Sequence, residues 1–276
     1  MDTKILIALD LEGVNNVVGE AYSGLEKGSA EWEKARREAA VEINALAEAL
    51  FAEGATRVDV WDNHGGGGNI DFADFDKRIG FAFHDKTKPR MHFAGEYDSV
   101  FFFGYHTMEG TLGGVLAHTM SSKSVQYYKL NGKYVGEFDM DAYIAASHGT
   151  PCKFFCGGDL TCQQAKRAVP GILTVVTKQE LSRNEAKFRD GNELLADIKK
   201  TGVEAARTAV PFKTLEFPAT LEKSFKRVED AVLYLEKMRG FGIESGYLPD
   251  EILGHDAHTV VCEVRDIDEF IKSIRY

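Results

Sequence analysis

The feature that most constrains this chain is a rhythm of short apolar runs separated by long amphipathic stretches. ILIAL (5–9), RVDVW (57–61), SVFFFG (99–104), CKFFCG (152–157) and ILTVVT (172–177) are apolar almost throughout. Runs so short, with so few polar positions, suit strands buried on both faces. The first is followed by residues 30–53, where Trp32, Ala35, Ala39, Ile43, Leu46 and Leu50 recur on one helical face, and Gly54 ends the pattern. Strand, helix, strand in that order requires a mostly parallel α/β sheet flanked by helices. Further helices are expected at 139–148, at 159–168 (closed by Pro170) and at 191–208.

Two segments depart from this rhythm. SVQYYKLNGKYVGEF alternates polar and apolar residues around Asn131-Gly132, which predicts an inserted β-hairpin with a type I′ turn. After VPFK the pattern becomes that of a smaller α+β unit. Strands are expected near 213–217, 219–226 and 258–264, with a helix at 228–238 and a short terminal helix. The expected division is an α/β lobe over 1–210 and a smaller lobe over 211–276 packed on it.

Composition narrows the class. A net charge of −10 offers no basic face for phosphates, which argues against nucleic acid. No apolar run approaches the ~20 residues needed to span a bilayer. MDTKILIALD lacks the features of a signal peptide, so a cytoplasmic protein is expected. Cys152, Cys156, Cys162 and Cys262 lack the paired spacing of structural zinc and are expected as buried, reduced thiols. HDAH (His255, His258) has a ligand-like spacing but is expected in a surface turn of the terminal unit.

Open α/β sheets gather ligands beyond the carboxyl ends of their strands. Past the first strand stand Asp10 and Glu12, past the second Asp62 and His64, past the third His106. His118 and Glu137 follow, the latter expected on the hairpin strand. Carboxylates and imidazoles converging on one edge are metal-ligand types. Asp10, Glu12, His64, His106 and Glu137 are one donor too many for a single tetrahedral ion. If Asp10 bridges, two ions each receive three protein ligands and keep an open position. This donor set suits zinc, with manganese or cobalt as substitutes. A close pair of such ions is hydrolase equipment. Taken singly, each residue has a plainer reading: Asp10 as a turn residue or cap, His64 as a loop histidine, His106 as a core histidine, Glu137 as a solvated acid. Their coincidence at one sheet edge favours the metal centre.

DLEG, DNHGGGGN, FFFGYHTMEG, LAHTM and NGKYVGEF follow one another as in the zinc-dependent D-aminopeptidases of bacterial dipeptide-transport operons, and CGGDLTCQQAK and VVTKQELSRNEA are also similar to that family. The resemblance is strongest over residues 5–186 and weak beyond about 210. It implies two Zn2+ per chain, release of N-terminal, often D-configured, residues from short peptides, and a ring-like homo-oligomer. It makes Asp10 the bridging acid, Glu12, His64, His106 and Glu137 the other ligands, and His118 the catalytic histidine, a role that spacing alone does not separate from the ligands. It also suggests Lys178 and Asn184 as neighbours of the site. Ala8 stands where the family commonly has serine, and WDNH replaces the more usual NDSH. Two rivals differ in kind. DLEG also resembles the haloacid-dehalogenase phosphatases, with Asp10 as nucleophile, magnesium beside it and Asp159 as a later acid. A metal-holding peptide-binding module without catalysis is the other.

Overall fold

The computed structural model describes residues 3–21, 24–85 and 87–275. β1 (Thr3–Leu9) leads to α1 (Ala30–Ala52), β2 (Ala55–Asp62), the short β3 (Gly80–Ala82) and β4 (Ser99–Tyr105). The hairpin β5 (Val125–Leu130) and β6 (Lys133–Val135) precedes α2 (Glu137–Ser147), β7 (Cys152–Gly157), α3 (Asp159–Ala168) and β8 (Leu173–Val176). A second hairpin, β9 (Lys178–Ser182) and β10 (Glu185–Phe188), leads into α4 (Gly191–Arg207). The chain closes with β11 (Ala219–Phe225), α5 (Val228–Gly240), β12 (Glu244–Asp250), β13 (Gly254–Val264) and α6 (Ile267–Arg275).

Six strands form a parallel sheet in the order β3-β2-β1-β4-β7-β8. Its central strands are dry because both faces are covered. Ile5, Ile7, Leu9, Phe101, Phe103 and Phe154 face α1 and α4, meeting residues such as Ile43, Leu46 and Ile198. Leu6, Ala8, Val100, Phe102 and Phe155 point the other way, toward Phe138 and Ile144 of α2. That second core continues without a break into Leu221, Val260 and Phe270. The antiparallel sheet there has the order β12-β13-β11-β5-β6, so the inserted hairpin and the C-terminal strands share one sheet. No helix among the described residues is long and apolar enough to cross a membrane.

Most expected elements form where the patterns place them, with three corrections. Residues 213–217 are irregular: Pro211 and Pro218 bracket the stretch, and neither can donate to a ladder. α2 begins at Glu137, because the Gly136 amide donates to Asp139 Oδ2 and turns the chain into a helix directly after β6. Glu137 therefore stands in the first turn of a helix and not on the hairpin strand. His255 and His258 lie within β13, where His255 pairs with Pro249 of β12 and His258 falls in an irregularity of that ladder, and the turn falls before them. Asn131 and Gly132 have φ of 49° and 75°, the positive pair of a type I′ turn. All four cysteines are buried free thiols.

After β1 the chain crosses the end of β4, and the Gly13 amide donates to the Gly104 carbonyl at 2.6 Å. Gly104 has φ of +72°, and a Cβ there would collide with the Asp10 carbonyl. Gly104→Ala is expected to cost about 3 kcal/mol or more, from positive-φ strain plus overpacking. Gly132→Ala, equally left-handed but with open space around it, is expected to cost only about 1–2 kcal/mol. Urea midpoints of the two variants decide whether the crossing is as tight as described.

Candidate functional site

The carboxyl ends of β1, β2 and β4 are level, since Leu9 pairs with Asp62 on one side and Phe103 on the other. Asp10 continues directly from β1, its amide donating to the Phe103 carbonyl at 2.7 Å. Glu12 lies two residues further, before the glycine crossing. His64 opens a short 3-10 turn, His64–Gly66, and Gly65 to Gly68 all adopt positive φ. That left-handed run, unfavourable for any other residue type, folds the loop back on itself. Asp62 closes it by accepting from the backbone and side-chain amides of Asn69, at 2.6 and 2.9 Å, and so works as a loop clasp.

These residues converge. His64 Nδ1 lies 3.0 Å from Asp10 Oδ1 and 3.1 Å from Glu12 Oε2. His106 Nε2 lies 3.5 Å from Asp10 Oδ2 and 3.3 Å from Glu137 Oε1. His118 stacks on His106 with ring centroids 3.8 Å apart, its Nε2 3.8 Å from Glu137 Oε1. Three overlapping trios have ligand atoms close enough to share an ion: Asp10–Glu12–His64, Asp10–His106–Glu137 and Glu12–His106–His118. Asp10 belongs to the first two, the arrangement that a bridging acid requires. His118 belongs to the third, so geometry gives it a ligand's reach as well as a place beside the centre.

Backbone carbonyls orient both rings. His106 Nδ1 is 3.0 Å from the Thr107 carbonyl and His118 Nδ1 is 2.8 Å from the Leu116 carbonyl. A proton on Nδ1 satisfies each carbonyl and leaves Nε2 facing the acids. His106 Nε2 is buried and makes no hydrogen bond despite two carboxylates nearby, as expected of an atom aimed at an ion and not at a proton acceptor. The donor set, three buried carboxylates and imidazoles, fits a pair of divalent cations.

The electrostatics of the cation-free chain are correspondingly strained. Burial raises Asp10 to about 7, and the charge of Glu12 adds to the effect. Burial also opposes charge on Glu12, but the charge and hydrogen bond of His64 hold its carboxyl well below the usual range. Burial disfavours a proton on His64, yet Glu12 and Asp10 outweigh it and lift the ring to about 12. His106 rises to about 10 because Glu137 overcomes the same penalty, and His106 in turn holds Glu137 near 2 against its burial. His118 moves the other way: burial and the neighbouring His106 lower it, keeping it neutral.

One feature escapes the sequence reading. Asp141, fully buried one helical turn after Glu137, accepts a two-pronged contact from Arg90 at 2.6 and 2.9 Å and a hydrogen bond from Tyr105 Oη at 2.9 Å. The i, i+4 acids of EFDMD were the only signal for it. Lys178 lies beneath the site and does not line its cavity. Its buried ammonium donates to the carbonyls of Glu12, Val14 and Val17, while Asn184 Nδ2 donates to that of Val18 at 2.8 Å. Both hold the backbone that carries Glu12. Asp159, which the phosphatase reading needs beside Asp10, instead accepts from the Glu180 amide at 2.8 Å in the first turn of α3.

A parallel α/β sheet with imidazoles and carboxylates gathered at its carboxyl edge defines the class: α/β proteins with a centre able to hold paired metal ions. The family model of the peptidase M55 D-aminopeptidases matches residues 3–239, and the chain belongs to that family. A D-aminopeptidase of Bacillus subtilis (strain 168) is 27% identical over 187 residues, covering 67% of this chain and 66% of that protein, just under two thirds of its length. The solved structure of the Zn-dependent D-aminopeptidase DppA from Bacillus subtilis, described as a self-compartmentalizing protease, superposes with a TM-score of 0.84 at 22% identity. That alignment covers 99% of this chain and 95% of DppA, and shows the same fold.

The clamp beneath the site is testable by itself. Lys178→Met strands three buried carbonyls and is expected to lower stability by about 3 kcal/mol or more. Asn184→Ala is expected to cost about 1–2 kcal/mol. Urea unfolding at pH 7 measures both, and a wild-type midpoint for Lys178→Met would show that the lysine is not the clamp.

Proposed function

We propose that the chain is a dizinc aminopeptidase that releases N-terminal, D-configured residues from short peptides. One observation carries the reading: Asp10 is common to two ligand trios at a buried sheet edge. Asp10, Glu12 and His64 would hold one ion, and Asp10, His106 and Glu137 the other. Two zinc ions bound there supply Lewis-acid polarisation of the scissile carbonyl and a water acidified toward neutrality.

The chain's own residues do the rest. His118, held neutral with Nδ1 turned to the Leu116 carbonyl, receives a proton at Nε2 and returns it to the leaving amine. Arg90 pins Asp141 and Tyr105 behind the site, and Tyr105 Oη accepts from Asn63 Nδ2 at 2.9 Å, which fixes the loop ahead of His64. The cavity over the centre has about 380 Å3, room for a short peptide but not a folded chain. The free amino terminus of that peptide would lie at this centre, which the same cavity opens onto. Assembly into a homo-oligomer, as the structural neighbour's description suggests, is supported by Ile252 and Leu253, exposed side by side before β13.

Metal content and turnover test the assignment together. Protein purified without chelator is expected to carry two zinc equivalents per chain. Asp10→Ala is expected to lose both, whereas His118→Ala keeps both and loses about 10²–10⁴-fold in kcat. Full activity in either variant would sink the assignment. The pH dependence of loading follows from the ring protons. His64 and His106 titrate near 12 and 10 without cation, so both are protonated at pH 7 and must lose protons to ligate. Zinc affinity therefore weakens as pH falls, and calorimetric titrations in buffers of different ionisation enthalpy should show at least two protons released per chain. Loading with no proton release would show that both rings are already neutral in the cation-free chain.

A further inference from the structure

A second cavity, of about 250 Å3, adjoins the first; Arg90, Met120 and Ser121 line both. Met120 stands at the boundary, its amide donating to Glu137 Oε1 at 2.7 Å. The two hollows differ in charge. Asp10, Glu12, Glu26 and Glu137 line the first, together with Arg90, Lys123 and Arg183, but no carboxylate among the described residues lines the second. Val125, Tyr128, Phe225 and Ile274 give it an apolar side, His84, Ser121 and Ser124 add polar groups, and its further cations are Lys223 and Arg275.

Lys223 is the informative group. It lies on β11 between Tyr128 of β5 and Val260 of β13, and is only 3% exposed. Its ammonium sits over three rings, 5.1 Å from Tyr128, 5.0 Å from Phe225 and 4.5 Å from Tyr234. The rings stabilise positive charge but satisfy no N–H group. Among the described residues no oxygen accepts from Lys223, and no acid pairs with it. An ammonium so buried, with three unused donors at a cavity wall, calls for an anionic acceptor. Burial lowers its pKa to about 7, and a bound anion would restore the charge.

We propose that this cavity is the subsite for the C-terminal carboxylate of the peptide, with Lys223 as its partner, while the amino terminus lies toward the centre formed by Asp10, Glu12, His64, His106 and Glu137. The apolar side would take the last side chain. Two or three extended residues reach about 7–10 Å, so the enzyme would favour zwitterionic di- and tripeptides, whose two ends could occupy two adjoining cavities. The inference rests on the aminopeptidase reading and adds what selects peptide length.

The test compares D-alanylglycine with its C-terminal amide on the zinc-loaded full chain, wild type and Lys223→Met. Methionine is close in length to lysine and apolar, so it should fill the aromatic cage without disturbing the fold. The wild-type comparison needs no variant at all. The free acid is expected to show a KM about tenfold below that of the amide, with kcat nearly equal. Lys223→Met is expected to raise the KM of the acid to that of the amide and leave the amide unchanged. Equal KM values in the wild type, or a preference that survives Lys223→Met, overturn the subsite while leaving the aminopeptidase reading intact. If neither peptide is hydrolysed, that reading fails and calorimetric binding decides the subsite. Tighter binding of the acid that disappears in Lys223→Met retains it, and equal or absent binding of the two peptides overturns it.

Discussion

The pairing of β1 with β2 on one side and β4 on the other is the constraint on which the site depends. It brings three strand ends level, and the residues just beyond them then have nowhere to go but a common edge. Asp10 follows Leu9, which is paired to both Asp62 and Phe103, and the next turn crosses β4 where Gly13 and Gly104 allow backbone against backbone. Side chains separated by dozens of residues thus meet within hydrogen-bonding distance because the register of a parallel sheet is set by its buried apolar positions.

Placing acids there is costly, and the surroundings show how the cost is met. Three carboxylates are withdrawn from water with no lysine or arginine side chain paired to them among the described residues, so the imidazoles become their counter-ions in the cation-free chain. Charge is managed one layer further out by different means. Arg90 is committed to Asp141, and Lys178 is committed to backbone carbonyls. Both cations rigidify the frame while leaving the acids free for a stronger Lewis acid. The same economy separates the acid-lined hollow from its cationic neighbour at Met120.

Much of this was legible in the chain. Dry apolar runs alternating with amphipathic stretches demanded a parallel sheet, and the strand-end rule then pointed to Asp10, Glu12, His64 and His106. Glu137 was found for a partly wrong reason. It was expected on a hairpin strand but stands in the first turn of α2, because the Gly136–Asp139 hydrogen bond starts that helix earlier than the apolar pattern does. The strand expected at 213–217 failed because its β-favouring residues lie between two prolines, a local rule that outweighs propensity. Lys178 carries no periodic signal at all, since a buried lysine in a short strand is indistinguishable in sequence from an exposed one.

By itself, then, the sequence determined the layer architecture, the central strands and the kinds of side chain delivered to their ends, since each follows from local pattern and from the need to bury apolar surface. Tertiary structure alone decided the distances between those side chains and the sharing of Asp10 between two trios. It decided equally the stacking of His118 on His106, the clamp under residues 12–20 and the cage around Lys223. The physical reason is common to all of these. They are contacts between residues far apart in the chain, fixed by how two sheets and their helices pack, and packing leaves no signature in any single stretch of sequence.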